Sequence, residues 1–337
     1  MITLNTLLSS LFYLLPLYLF VLAPLLRQYF PSDDTTTTTT TIPFDPFNNS
    51  PLIPSPAELA TNPDAYDLPY LDPDFLSPDD PSSPSYSPPS SSDPLTCPQD
   101  TYKTHILSRT PLIIYIENFL SPAETTSLLS LTTPSNSTPN NNNNPQNQSG
   151  YTPSIVYDGT SQRIDPTRRL SDRALLPPTA APVRCLTRRA ASFQGWRPYL
   201  HIEPLWAQRY NVSGHYTHHY DWAGSAARGG DRATTFMVYL DDGCKGGGTN
   251  FPRLVRPVAR EWCRFIECGG EGEEGKDGEK EEGITFKPIA GNAVFWENLR
   301  PDGSGYPETW HAALPVTEGV KVGLNIWSWY QPPRRKV

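Results

Sequence analysis

The sequence predicts a mainly β domain with flanking helices, an antiparallel sandwich or open barrel. Three observations carry that expectation. Short β-branched or aromatic runs recur after Leu205, at residues 234–240, 284–286, 293–296 and 321–330. Gly, Pro and Asp turns separate them, the punctuation of many short strands. The helix-like segments come earlier in the chain, so they would pack outside the strands rather than alternate with them.

Taken in order, the 337-residue chain begins with a segment free of charged side chains through residue 26. A 20-residue apolar run starts at Leu7 and ends at Leu26, long enough to cross a bilayer as a helix. A cleaved secretory signal would have a shorter apolar core and a small-x-small cleavage site. Here Ala23 is followed by Pro24, Leu25 and Leu26, so residues 1–30 read as an uncleaved membrane anchor. Residues 31–95 hold 15 of the 38 prolines, a Thr run and Ser/Pro clusters. Such a stretch cannot bury enough apolar surface to offset the entropy of ordering it, and reads as a disordered stalk. The remainder, residues 96–337, is large enough for one sizeable core.

Within it, residues 112–116 (Leu-Ile-Ile-Tyr-Ile) read as a strand. Ser121-Pro122-Ala123-Glu124 supplies a cap, a first-position proline and a first-turn acid for a helix to about Leu131. An Asn/Gln-rich stretch near 134–150 reads as a disordered insert. Residues 182–193 suit a second helix with arginines at exposed positions, and the Gly/Glu/Lys stretch near 268–283 a solvated insert between strands.

The net charge of −8 divides unevenly. Residues 1–95 carry 11 acids and one base, and residues 267–283 carry 8 acids and two lysines, leaving 16 acids against 24 bases elsewhere. A basic body balanced by its own acidic appendages needs no polyanionic partner. No nucleic-acid motif is present, and nothing in the sequence sets an oligomeric state. Five cysteines (Cys97, Cys185, Cys244, Cys263, Cys268) lack zinc spacing and suit two disulfides plus one free thiol. Asn48, Asn136, Asn147 and Asn211 open N-x-Ser/Thr acceptor sequences. Arg27 alone would keep its end in the cytosol. The cysteines and acceptor sequences instead favour an endoplasmic reticulum membrane protein, single-pass, with its folded domain (residues 96–337) in the lumen.

The chemistry-bearing residues begin in the segment 210–222, Tyr-Asn-Val-Ser-Gly-His-Tyr-Thr-His-His-Tyr-Asp-Trp. On a strand, His219 and Asp221 project to one side and His218 to the other. A helical pair of His215 and His219 is disfavoured by the local Gly, Thr and Tyr content. A His and a carboxylate on one face, completed by His311, make a facial triad of the type that holds non-haem iron. Ten residues after His311 comes Lys321, opening a strand on which Lys321, Gly323, Asn325 and Trp327 share a face. A lysine buried there requires a fixed anion.

Residues from about 111 to 330 resemble the prolyl 4-hydroxylase branch of the iron(II)/2-oxoglutarate dioxygenases. The resemblance rests on Tyr210, His219-Tyr220-Asp221, the Gly246-Gly247-Gly248-Thr249-Asn250-Phe251-Pro252 turn, the 291–296 strand, and His311 with Lys321. It implies a double-stranded β-helix, the jelly-roll or cupin-like core. It implies iron(II) on His219, Asp221 and His311, with 2-oxoglutarate and O2 as co-substrates and L-ascorbate as an auxiliary reductant. Tyr210, Thr249 and Lys321 would hold the distal carboxylate of 2-oxoglutarate. Tyr216, Arg232 and Trp327 would line a groove for a proline-containing peptide or protein, although strict alternation turns Tyr216 away from iron. The sequence departs from the pattern at Ser213-Gly214, where the glycine is displaced, and at Arg169-Leu170-Ser171. The implied reaction is hydroxylation of peptidyl proline, with 2-oxoglutarate converted to succinate. Other readings are a hydroxylase of another residue or a small molecule, an inactive membrane-tethered binding protein, and a zinc hydrolase.

Overall fold

The computed structural model describes residues 66–67, 95–133, 150–157, 161–226, 230–268, 283–331 and 334–335. The described residues all lie in one compact unit, Phe47–Val337. The expected anchor, most of the 31–95 stalk, and nearly all of the two expected inserts lie outside them. Among the described residues no helix is long and apolar enough to cross a membrane.

The chain enters through a hairpin, β1 (Lys103–Arg109) and β2 (Leu112–Glu117). Helix α1 (Pro122–Ser130) follows with the expected capping box, in which Ser121 and Glu124 satisfy each other's backbone N–H. Strand β3 (Asp172–Leu175) and helix α2 (Ala181–Phe193) come next. The core strands are β4 (Trp206–Tyr210), β5 (His215–His219), β6 (Asp231–Asp241), β7 (Thr249–Phe251), β8 (Ile284–Phe286), β9 (Ala293–Glu297), β10 (His311–Ala313) and β11 (Lys321–Tyr330).

These strands form two antiparallel sheets. The larger runs β1-β2-β9-β6-β11-β4-β3, and the smaller runs β8-β7-β10-β5 with Arg169–Leu170 at its edge. From β4 to β11 the chain visits the sheets in the order large, small, large, small, small, large, small, large. That alternation is the winding of a jelly roll. The expected antiparallel sandwich thus takes its double-stranded β-helix form.

Strand β6 is covered on both faces, which is why its sequence is a continuous apolar run rather than an alternation. Phe236, Val238 and Leu240 join Leu128 of α1 and Val183, Leu186 and Ala190 of α2 in one core cluster. Met237 and Tyr239 face the opposite way, into a second cluster with Phe251, Ile284 and Phe286 of the small sheet. Burying each large side chain stabilises the fold by about 1.5–3 kcal/mol, so helices and sheets are held by ordinary apolar packing.

The arginines of α2 are not all exposed, contrary to the sequence expectation. Arg189 is buried, donating to Asp100 Oδ1 (2.5 Å), the Phe119 carbonyl (2.6 Å) and Glu124 Oε1 (2.7 Å). It joins α2 to the cap of α1, a tertiary arrangement that helical periodicity does not reveal. Disulfides Cys97–Cys185 and Cys263–Cys268 form and Cys244 stays free, as the cysteine count suggested. The first closes a loop of 88 residues, a constraint on the unfolded chain of about 4.6 kcal/mol.

Candidate metal centre

His219 ends β5 and Asp221 lies just past it, while His311 opens β10 directly opposite His219. The three side chains converge between the two sheets. His219 Nε2 lies 3.7 Å from Asp221 Oδ1, and His311 Nε2 lies 3.8 Å from Asp221 Oδ2. Both separations are shorter than two metal–ligand bonds of about 2.1 Å each. Among the described residues this is the one group of three such ligands. His218 points outward, bonded to Asn250 Oδ1 at 3.0 Å and stacked near Trp310, so alternation selected the right histidine.

Each imidazole is aimed by a carbonyl two residues earlier. His219 Nδ1 donates to the Thr217 carbonyl (2.8 Å) and His311 Nδ1 to the Thr309 carbonyl (2.9 Å). This fixes the tautomer and leaves Nε2 as the metal-facing lone pair. Burial, reinforced by the neighbouring His311, lowers the His219 pKa to about 3, so it is a neutral ligand. Burial opposes ionisation of Asp221, but the two imidazoles, the Arg232 guanidinium and the Thr235 hydroxyl together hold its pKa below the ordinary value. The Thr235 hydroxyl donates to Asp221 Oδ2 at 2.8 Å and itself accepts from Asn298, whose amide oxygen accepts from Trp296. Two imidazoles and one anchored carboxylate form the donor set of a facial iron(II) site.

Farther along the barrel, Lys321 is fully buried and pairs across the sheet with Tyr210. Its Nζ donates to the Gly247 carbonyl at 2.5 Å and sits 5.3 Å and 5.5 Å from the ring centres of Tyr210 and Tyr239. No carboxylate is within ion-pair distance of it among the described residues. Burial lowers its pKa to about 8. A buried ammonium without an anion is costly, and a carboxylate-bearing co-substrate fits that vacant role. Thr249 is buried nearby on β7 and accepts a hydrogen bond from Tyr239 at 2.9 Å. The Tyr210 hydroxyl donates to Gln208 Oε1 at 3.0 Å. The glycine turn matters here: Gly247 has φ +69°, and a Cβ there would lie 3.2 Å from Lys321 Cδ.

The other side of the metal site is aromatic and charged. Arg232 lies 3.8 Å from the ring centre of Trp327 and donates twice to Glu203, at 2.7 and 2.8 Å. Among the described residues, the buried Trp327 indole N–H has no partner. Tyr216 stacks on His219 with ring centres 3.6 Å apart, and Arg169 covers its other face at 4.6 Å. The expectation that alternation turns Tyr216 away is therefore corrected. The pairing of β5 with β10 slips between Tyr216 and His219, and such an irregularity shifts the alternation by one. All nine sequence-predicted residues thus line one interior.

Two residues escaped sequence reasoning. Tyr239 was hidden in the apolar β6 run, although period-two counting from Thr235 places it on the interior face. Glu203 has no local signal, because its partner Arg232 is 29 residues away.

Residues 205–329 match the family described as the 2OG-Fe(II) oxygenase superfamily. The matched segment is similar to a prolyl 4-hydroxylase-like 2OG-Fe(II) oxygenase domain. The chain is 27% identical over 231 residues to probable prolyl 4-hydroxylase 3 of Arabidopsis thaliana, covering 66% of this chain and 71% of that protein. It is 31% identical over 187 residues to prolyl 4-hydroxylase subunit alpha-3 of Rattus norvegicus, covering 52% of this chain but only 28% of the rat protein. Among solved structures, the viral collagen prolyl hydroxylase of Paramecium Bursaria Chlorella virus-1, in its 2OG complex, aligns at a TM-score of 0.43 and 22% identity. That alignment covers 65% of this chain and 96% of the viral one. The family match and the prolyl 4-hydroxylase relatives mark the domain as a 2-oxoglutarate-dependent dioxygenase, with its triad and its buried lysine on facing strands of one barrel.

Proposed function

We propose that this oxygenase hydroxylates prolyl residues of peptide or protein chains. The observation that carries the reading is the triad of His219, Asp221 and His311 in the same barrel as the anion-less Lys321. The named relatives, prolyl 4-hydroxylases, support proline as the target.

His219, Asp221 and His311 would hold iron(II), leaving adjacent positions for exchangeable ligands. Bound iron with 2-oxoglutarate and O2 supplies oxidative decarboxylation to succinate and CO2, and the second oxygen atom is inserted into a substrate C–H bond. Lys321, Thr249 and Tyr210 bind the distal carboxylate and set the depth at which the co-substrate sits. Tyr216, Arg232 and Trp327 line the peptide groove, and Glu203 holds the Arg232 guanidinium over the Trp327 ring. The unpartnered Trp327 indole N–H is suited to a peptide carbonyl. Ascorbate would act as the reductant that keeps iron ferrous.

The test is direct. The full chain, incubated with iron(II), ascorbate, 2-oxoglutarate and proline-rich peptides, is expected to release succinate and add 16 Da (about one oxygen atom's mass) to a prolyl residue, read by mass spectrometry. Succinate without hydroxyproline would remove the prolyl substrate and keep the oxygenase.

We also infer an endoplasmic reticulum membrane protein with its catalytic domain in the lumen, anchored through the run from Leu7 to Leu26. Two formed disulfides support an oxidising compartment. Asn211 is exposed on the turn between β4 and β5, within an intact acceptor sequence. Chain expressed in eukaryotic cells is expected to lose glycan mass on amidase treatment, and less in Asn211→Gln. A chain without glycan would count against lumenal placement.

A further inference from the structure

We propose that Tyr220, Trp222 and Arg253 position the third metal ligand, His311, by fastening the loop 305–310 whose carbonyl aims its ring. The inference rests on the metal reading above and extends it to residues outside the ligand set.

The two aiming carbonyls differ in their support. Thr217, which aims His219, lies inside β5, and its own N–H is bound by the Arg168 carbonyl at 2.8 Å. Thr309, which aims His311, ends a single 3-10 turn (Pro307–Thr309) ahead of β10 and has no sheet partner. A carbonyl on so short a turn is placed only by what holds the turn.

Arg300 holds the start of the loop, donating to the Gly305 carbonyl at 2.6 Å, and three further side chains fasten the turn itself. The Trp222 indole N–H donates to Thr309 Oγ1 at 3.2 Å, and that hydroxyl donates to the Tyr306 carbonyl at 2.8 Å. The Trp222 ring lies flush on Gly305, where a Cβ would fall 2.1–2.3 Å from ring atoms. Arg253 Nη1 donates to the Pro307 carbonyl at 3.0 Å and to the Tyr220 hydroxyl, which also donates to Pro307 at 3.4 Å. The guanidinium spans the rings of Trp310 (5.5 Å) and Tyr220 (5.8 Å), and Tyr220 packs on Trp222 and Trp310 at 4.4 and 4.6 Å.

Tyr220 and Trp222 flank Asp221. The segment that delivers the carboxylate therefore also holds the loop that aims His311, and the spacing between the two ligands is set before any ion arrives. Outer-shell partners of this kind change metal affinity by about 10–100-fold when removed.

The test reads metal binding rather than turnover, using Co(II) as the probe in the full chain without co-substrate. Trp222→Phe keeps the ring on Gly305 and deletes only the donor; Arg253→Met keeps the stem and deletes the guanidinium. Each is expected to weaken Co(II) binding by about 10-fold or more, to alter its ligand-field spectrum, and to leave the far-ultraviolet circular dichroism intact. Arg253→Lys, which keeps a donor, is expected to recover part of the loss. Wild-type binding with unchanged affinity and spectrum in both Phe and Met variants would overturn the clamp alone. A wild-type chain that takes up no Co(II) would overturn the metal centre, and the clamp with it.

Discussion

Asp221→Ala is expected to reduce succinate formation to background, a loss well beyond the roughly 100-fold that an outer-shell change can cause. Asp221 is the carboxylate shared between both imidazoles, 3.7 and 3.8 Å from their Nε2 atoms. Without it the remaining pair of histidines supplies no negative charge to offset that of a divalent ion. The change also strips the Thr235 hydroxyl of its acceptor, loosening the Thr235–Asn298–Trp296 chain behind the site. Co(II) titration and succinate release measured side by side check both effects. Undiminished turnover in this variant would remove the triad assignment. Thr235→Val offers a graded comparison: its carboxylate remains but loses one anchor, so metal affinity is expected to fall without vanishing.

Lys321→Ala is expected to raise the 2-oxoglutarate requirement by about 30-fold to several thousand-fold, corresponding to about 2–5 kcal/mol for truncating one partner of a buried charge pair. Saturating co-substrate should restore most of the turnover, because the metal ligands are untouched. A variant with an unchanged co-substrate requirement would place the anion elsewhere. The same residue predicts a pH dependence. Burial lowers its pKa to about 8 from the ordinary 10.5. Above pH 8 the free enzyme therefore loses the charge that binds the carboxylate, and co-substrate affinity should fall, in a manner absent from Lys321→Ala. The effect on folding has the opposite sign. Between about pH 8 and 10.5 the unfolded chain holds more protons at this position, so its contribution to stability rises with pH across that window. Titration of 2-oxoglutarate binding from pH 7 to 9.5 separates the two.

Much of this was legible without a structure because the relevant geometry is local. A strand's period of two puts His219 and Asp221 on one side and His218 on the other, and the long strand Lys321–Tyr330 appears with the bounds its β-branched and aromatic run implies. The α1 cap was equally readable, since Ser121 and Glu124 interact within a single turn. Local rules failed where the backbone slips or where partners are far apart. Tyr216 reaches His219 only through the irregular pairing of β5 with β10, which no residue type announces. Arg189 looked like a solvated helix position until the chain brought Asp100 and Glu124 to it.

The metal site therefore divides along the same line. The sequence by itself determined which side chains could serve as ligands, that a lysine would be buried among them, and that short antiparallel strands would carry both. Only the tertiary structure decided that His311 stands opposite His219, that Glu203 holds Arg232 over Trp327, and that Trp222 and Arg253 hold the loop aiming His311. The reason is physical. Ligand identity and strand alternation are set within a few residues, whereas the orientation of a buried imidazole depends on a carbonyl whose place is fixed by side chains some 50 to 90 positions away.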